Sequence, residues 1–355
     1  MTQVVVFGAG GYSGLELLRW LAGHPGAVVA AASSDQHEGR AVSDLVPGLA
    51  TSPLRFTSHA ATLAETRSGQ IALLATPART AAELVPTLLD RGLRVVDLSG
   101  AHRLPAEQYP DWYGFEHPFP AMLRRAVYGL PELGDPSAIG AASLVANPGC
   151  YATAAALAAG PLVEAGLLED GAPLVVDGKS GTTGAGRTTK TELSFSEAAD
   201  DVRPYRVGGH QHTPEIERTL TGLAGRPVAV SFTAHIVPMR RGLLCSVYGR
   251  ARPDTTQDHL RAAMRARYAA QPLVRVQDDR PPETKQTTGW PHAEVSVHLD
   301  PRTGVVSAFG AIDNLIKGAA GQAIQNLNAM LGLSPSAGLL TEVRPVLEAM
   351  RAQSS

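Results

Sequence analysis

The stretch Val4-Val5-Val6-Phe7-Gly8-Ala9-Gly10-Gly11-Tyr12-Ser13-Gly14-Leu15 decides how the chain is read. An unbroken apolar run of this kind suits a central strand of a parallel sheet, covered on both faces. Glycines follow at once, at Gly8, Gly11 and Gly14, and then a helical pattern through Leu21. Strand, glycine turn and helix in this order build a dinucleotide site. The backbone can approach a pyrophosphate where side chains are missing, and helix N–H groups point at it. The spacing is G-x-x-G-x-x-G rather than G-x-G-x-x-G, and a plain glycine turn is the alternative.

The rhythm repeats outward from there. Residues 27–32 read as a second strand ending at Ser33-Ser34-Asp35. An acid at this strand end binds the ribose hydroxyls of NAD, whereas hydroxyl and arginine side chains accommodate a 2′-phosphate. Ser33, Ser34 and Arg40 favour NADP(H); Asp35 argues the other way. Residues 71–75 and 93–99 read as further strands, with a helix over 80–89 between them and Thr76-Pro77 opening its loop. The alternation predicts an α/β, doubly wound, Rossmann-type parallel sheet. Arg103 lies beyond the end of strand 93–99, where such sheets bind ligands, and could clamp an anion or simply pair with a surface acid. From 105 to 140 the pattern loosens into what reads as an ordered loop rich in aromatic residues and proline.

Asn147-Pro148-Gly149-Cys150-Tyr151 then carries one of only two cysteines, between a short apolar run and an Ala-rich helix. A sulfur at a helix N-terminus is favoured as thiolate by the dipole and the unpaired N–H groups. A buried cysteine is equally often an inert core residue. The stretch alone leaves both readings open.

Composition narrows the class. The 355 residues exceed the usual size of a single core, so two domains are expected. With 31 Lys and Arg against 33 Asp and Glu, net charge −2, there is no basic footprint for nucleic acid or anionic membrane. Two cysteines cannot make a disulfide framework and suit a reducing cytosol. The N-terminus lacks the pattern of a signal peptide, and no apolar run approaches a membrane span, Gly160 and Pro161 breaking the best candidate. A cytoplasmic protein is expected.

In the second half, residues 173–177 read as a strand running into a loop, Gly178-Lys179-Ser180-Gly181-Thr182-Thr183, dense in potential anion ligands but without P-loop order. Gly208-Gly209-His210-Gln211-His212-Thr213-Pro214-Glu215 places two histidines before a helix whose start is signalled by Thr213 and Pro214. A metal would need further ligands that the sequence does not supply, so a cysteine–histidine pair is the more economical reading. Strands at 228–238, 242–249 and 293–299, with one helix over 256–270, predict an α+β second domain on a mixed or antiparallel sheet. Such a domain could cover the cleft and form a subunit interface. Cys245, inside an apolar strand, reads as core. Residues 307–318 lead into a long small-residue helix through 331, expected to pack back on the first domain.

Together these stretches resemble the N-acetyl-gamma-glutamyl-phosphate reductase family over essentially the whole chain: GAGGYSGLELLRWLAGHP (8–25), VVDLSGAHRL (95–104), ANPGCYATAAALA (146–158), KSGTTGAGR (179–187), GGHQHTPEIE (208–217) and AIDNLIKGAAGQAIQN (311–326). The resemblance implies a semialdehyde dehydrogenase-like fold: a cofactor domain over 1–149, joined by a returning part at about 313–355, and a catalytic and dimerisation domain over 150–312. It implies reduction of an acyl phosphate to a semialdehyde and phosphate through a cysteine thioester, in arginine biosynthesis. Cys150 falls on the nucleophile and His210 on the general acid/base. Arg103, Ser180, Gly181, His212 and Glu215 would hold substrate. Gly8, Gly11, Tyr12, Ser13, Gly14, Ser33, Ser34, Arg40, Pro77 and Asn314 would hold NADP(H), with no metal. A homodimer or homotetramer is implied. Ala101-His102 stands where the family usually has Asp-Phe, and Thr76-Pro77-Ala78 where it usually has Pro-His-Gly. A reductase of carrier-linked aminoadipyl phosphate is the sister alternative, and a non-catalytic NADP-binding sensor an alternative of another class.

Overall fold

Thr2–Phe7 (β1) is wholly buried from Val4 to Phe7 and pairs in parallel with a strand on each side. The computed structural model describes residues 1–50, 52–188 and 190–340, which fall into two units, Met1–Pro148 with the residues from Ala319 on, and Gly149–Gly318.

In the first unit β1 is joined by Ala27–Ser33 (β2), Phe56–Thr57 (β3), Ile71–Leu74 (β4), Arg94–Asp97 (β5), Ala126–Tyr128 (β6) and Leu144–Ala146 (β7). The described strands run in the order β3-β2-β1-β4-β5-β7-β6, every neighbour parallel. Order reverses between β1 and β4, the switch point at which such sheets bind ligands. Helices Tyr12–Leu21 (α1), His59–Glu65 (α2), Ala78–Asp90 (α3), Tyr109–Tyr113 (α4), Pro120–Leu123 (α5) and Pro136–Ala141 (α6) belong to this unit. Val5, Phe7, Leu74, Val85, Leu88, Val95 and Leu144 pack one core between sheet and helices.

The doubly wound sheet is as expected. Residues 105–140, however, are not simply loop: they hold α4, α5, α6 and the edge strand β6. Elements of three to six residues are too short to show a period. Side chains fix them instead, with the Tyr109 ring stacked on Tyr113 at 5.2 Å and edge-on to His117 at 4.9 Å. The late helix Gly321–Leu331 is also in this unit and buries polar amides. Asn326 Nδ2 donates to Gly129 O at 2.9 Å, and Gln325 Nε2 to Glu132 Oε1 at 2.8 Å. Residues 341–355, part of the expected returning segment, lie outside the described residues.

The second unit holds Leu174–Gly181 (β8), Arg203–Tyr205 (β9), Val230–Val237 (β10), Leu243–Arg250 (β11), Val274–Val276 (β12), Ala293–Asp300 (β13) and Val305–Ile312 (β14). They form a mixed sheet, β12-β13-β14-β11-β8-β10-β9. Its helices are Cys150–Glu164 (α7), Phe195–Ala198 (α8), His212–Ala224 (α9), Gln257–Tyr268 (α10) and Thr284–Thr287 (α11). In α7 every residue from Tyr151 to Val163 is buried, as a helix apolar on all sides must be. It packs on α9, α10, β11, β13 and β14.

Two expectations change here, and α7 runs on through Gly160 and Pro161. Proline cannot bond the carbonyl four residues back, and that carbonyl, on Leu157, instead accepts the Tyr268 hydroxyl at 2.6 Å. Lys179, Ser180 and Gly181 are strand rather than loop, because β8 pairs with β10 on one side and β11 on the other. Residues 305–312 form β14 before the chain turns helical, and Asp313 and Asn314 stay with the second unit. Asp313 accepts from Arg241 at 2.9 Å and from the Gly289 N–H at 2.8 Å. Among the described residues no helix is long and apolar enough to cross a membrane.

Candidate active site

β7 ends at Ala146, and the chain turns through Asn147, Pro148 and Gly149 into α7. Asn147 is held within its own unit on three sides. Its N–H donates to Asp97 O at 2.8 Å, its carbonyl accepts Arg103 Nε at 2.8 Å, and its Oδ1 accepts Asn326 Nδ2 at 2.9 Å. Arg103 is buried and also donates to Leu98 O at 2.7 Å. Two donors of the guanidinium expected to clamp substrate are thus engaged by backbone carbonyls, one of them in this turn.

Cys150 is the first residue of α7, and Gly149 is the cap, with φ −75° and ψ 153° and no side-chain hydrogen bond to the helix. The Gly149 N–H donates to Glu215 Oε1 at 2.7 Å, and Glu215 is wholly buried. A Cβ at Gly149 would run into the His212 ring. From another side comes Gly318, on the π-helical turn Ile316–Ala320, where a Cβ would stand 2.7 Å from Cys150 Cβ. Local π geometry is frequent at functional sites. The cysteine thus sits at a helix start whose partial positive charge favours a thiolate.

Both histidines lie against the chain neighbours of Cys150. The His210 ring is edge-on to Tyr151 at 5.5 Å, to Tyr205 at 5.5 Å and to Phe232 at 5.0 Å. His210 Nδ1 accepts the His212 N–H at 3.1 Å, so in the neutral ring the proton belongs on Nε2. Burial, then the nearby His212 and Arg206, push its pKa down to about 2. His212, the first residue of α9, lies against Gly149 with Nε2 4.0 Å from Glu215 Oε2. The helix starts two residues earlier than a Thr213 cap and a first-turn Pro214 suggest, with Gln211 as cap, and His212 rather than His210 lies on the cysteine's cap.

Sequence reasoning did not find two tyrosines. Tyr205 OH donates to Tyr151 OH at 3.4 Å, and Tyr151 OH to His235 O at 3.0 Å. Burial raises both hydroxyl pKa values, that of Tyr205 to about 12, so they stay protonated. Tyr151 follows the cysteine directly, the one signal that could have marked it. Cys245 is fully buried, donates to Tyr151 O at 3.7 Å and has its pKa raised by burial, as an inert core thiol should.

The cofactor residues are in the first unit. Gly8 has φ +73°, and a Cβ there would stand 2.5 Å from Ala75 O; a Cβ at Gly14 would meet Gly8 O. Gly11 caps α1, whose first residues are Tyr12 and Ser13, and a Cβ on Gly11 would have only Gly8 O near it, at 3.5 Å. Pro77 caps α3 beyond β4. Ser33 Oγ, on the last residue of β2, and Thr76 Oγ1, just beyond β4, are buried without a partner among the described residues. An open glycine cap and two orphaned hydroxyls at the carboxyl edge of this sheet fit a bound nicotinamide dinucleotide.

Ser180 is buried, its hydroxyl on Gly181 O at 3.1 Å, and Gly181 N–H donates to Gly242 O at 2.9 Å. Asn314, expected at the cofactor, accepts the Gly242 N–H at 2.9 Å and donates to Thr183 Oγ1 at 3.0 Å. These residues brace the segment after β8. Among the described residues no group of three or more His, Cys, Asp or Glu could hold a metal.

A dinucleotide turn on one sheet and a cysteine at a helix start, flanked by histidines, define a nicotinamide-dependent semialdehyde dehydrogenase. Residues 3–142 match the model of the semialdehyde dehydrogenase NAD binding domain, and residues 150–314 that of its dimerisation domain. N-acetyl-gamma-glutamyl-phosphate reductase of Symbiobacterium thermophilum is 42% identical over 344 residues, 95% of this chain and 97% of that protein. The Halorhodospira halophila enzyme of the same name is 44% identical over 343 residues, 96% and 98% of the two chains. The chain belongs to the N-acetyl-gamma-glutamyl-phosphate reductase family. Aspartate semialdehyde dehydrogenase II from Vibrio cholerae, complexed with ASA, shares the fold: TM-score 0.71, 18% identity, 94% of this chain and 98% of that one. So does the Candida albicans enzyme with NADP, at TM-score 0.68, 16% identity, 95% and 99%.

Proposed function

We propose that the chain reduces N-acetyl-gamma-glutamyl phosphate to N-acetyl-L-glutamate 5-semialdehyde and phosphate, with NADPH, in arginine biosynthesis. The observation that carries the chemistry is the grip of Glu215 and His212 on Gly149, the residue before Cys150. Cys150 thiolate attacks the acyl carbon and expels phosphate, leaving a thioester on its sulfur. When bound, the reduced nicotinamide supplies the two electrons that take this acyl group to the aldehyde level. His212 is the proton carrier: it protonates the substrate oxygen in the tetrahedral species and takes the proton back as the carbon–sulfur bond breaks and the thiolate leaves. The acid/base role first expected of His210 thus passes to His212. His210, buried and neutral, accepts the backbone N–H of His212 and so fixes the first turn of α9, from which the His212 ring projects.

Residues 1–148 with the returning segment from Ala319 serve as the cofactor domain and 149–318 as the catalytic and dimerisation domain. The enzyme works in the cytoplasm as a homodimer or homotetramer, which light scattering would test. NADPH over NADH is supported by the hydroxyls at the end of β2. The function is tested by a phosphate-dependent reverse assay with N-acetylglutamate semialdehyde, run with NADP and then NAD. Turnover with NADP is expected. Activity only on a carrier-bound aminoadipate semialdehyde would contradict the substrate, and reduction of neither cofactor would contradict the enzyme.

A further inference from the structure

Asp35 stands two residues beyond β2, close to where an acidic side chain in NAD enzymes takes the ribose hydroxyls and repels a 2′-phosphate. Here its carboxylate is occupied elsewhere. Oδ1 accepts the backbone N–H of His59 at 2.7 Å and lies 2.9 Å from His59 Nδ1. His59 opens α2, directly after β3, so the carboxylate is drawn sideways to the outer strand of the sheet. The His59 ring is itself placed by packing, 6.1 Å from the Phe7 ring at the end of β1. The His59 N–H first, and then its ring, hold the Asp35 carboxyl below its ordinary pKa, so it stays charged and held. The edge left at β2 offers hydroxyls: Ser33 Oγ, buried and unpartnered among the described residues, and Ser34 Oγ, which packs on Gly10 of the glycine turn. Arg40 follows on the same loop, half exposed, with Nε 3.7 Å from Asp44 Oδ2.

We infer that His59 is a specificity-determining residue: by holding Asp35 against the start of α2, it keeps a carboxylate away from the adenosine ribose and lets the site accept a 2′-phosphate. The inference rests on the NADPH reading and explains how a chain with an acid at this place can prefer the phosphorylated cofactor. His59 is thus a positioning residue, acting through Asp35.

The test uses the whole protein and measures NADPH and NADH dissociation constants by fluorescence titration, without turnover. His59→Pro removes both the ring and the N–H that hold Asp35. Proline suits the first position of a helix, and Ser58, at φ −66° and ψ 159°, already has the backbone that precedes a proline. The wild type is expected to bind NADPH at least roughly tenfold more tightly than NADH, and His59→Pro to lower that ratio about tenfold, the size of one charge contact. Asp35→Asn in the His59→Pro background should restore the ratio, and Asp35→Asn alone should leave it within about twofold of wild type. A wild type that binds NADH as tightly as NADPH would remove the NADPH reading and the inference together. A wild-type preference that survives His59→Pro, or a loss that Asp35→Asn does not restore, overturns the inference alone.

Discussion

Two helices in this molecule begin in nearly the same way. α1 starts after Gly11, at φ −78° and ψ 168°, and α7 after Gly149, at φ −75° and ψ 153°; neither cap makes a side-chain hydrogen bond to its helix. Both follow a strand of the first sheet by a short turn. What differs is the packing on the cap. Beside Gly11 there is open space, and a Cβ there would have only Gly8 O within reach, at 3.5 Å. Gly149 has its N–H on Glu215 and the His212 ring against it. The first arrangement suits a phosphate that arrives from solution; the second holds a sulfur that stays. The same local backbone serves recognition in one place and covalent chemistry in the other.

The largest effect expected on this contrast is from Cys150→Ser. It should lower turnover by roughly 10⁴-fold or more while leaving the NADPH dissociation constant within about twofold. Steady-state kinetics and fluorescence titration measure the two, and near-wild-type turnover would remove the covalent route.

Alanine at the two caps should separate them. Gly149→Ala pushes on His212 and is expected to cost roughly 100-fold in kcat, as small misplacements at a reacting centre do. Gly11→Ala has room in the protein and none for a phosphate. It should raise the NADPH dissociation constant roughly tenfold without changing the melting temperature or the alkylation rate of Cys150. If both variants fail in the same assay, the contrast is wrong.

Glu215 tests the grip more finely. Glu215→Gln keeps an acceptor for the Gly149 N–H, whereas Glu215→Leu leaves that buried donor unpaired. The leucine variant should lose about 1–3 kcal/mol of stability in urea unfolding and the glutamine variant less.

The smallest effect is a slope. His210 stays neutral when folded because burial brings its pKa down to about 2, while an unfolded histidine takes up a proton below about 6.5. Its contribution is therefore fully present above pH 6.5 and lost as the pH falls toward 2, by up to about 1.4 kcal/mol per pH unit. His210→Phe should flatten the fall in unfolding free energy between about pH 6 and pH 4. An unchanged slope would place the proton elsewhere.

What could be read in the sequence was what short-range pattern determines. Val4 to Phe7, the glycines after them and α1 lie consecutively, so one stretch displayed strand, turn and helix together. Cys150 was visible for the same reason. Lys179 to Gly181 misled because their composition is that of a loop, while membership of β8 comes from partners about fifty residues or more away. Which histidine meets the cysteine's cap depended on a two-residue shift of helix start, finer than Thr213-Pro214 can specify. Arg103 and Asn314 were singled out for their chemistry, but their hydrogen bonds go to backbone and hydroxyl groups that only the fold brings near. Gly318 carried no signal of its own, since nothing local tied it to Cys150.

The central claim is that the sulfur of Cys150 carries the acyl group. Intact-mass spectrometry after incubation with N-acetyl-gamma-glutamyl phosphate, in the absence of any nicotinamide cofactor, tests it directly. One N-acetylglutamyl group per chain is expected, mapped to the peptide containing Cys150 and released by hydroxylamine. An unmodified chain, or the group found on Cys245, would contradict it.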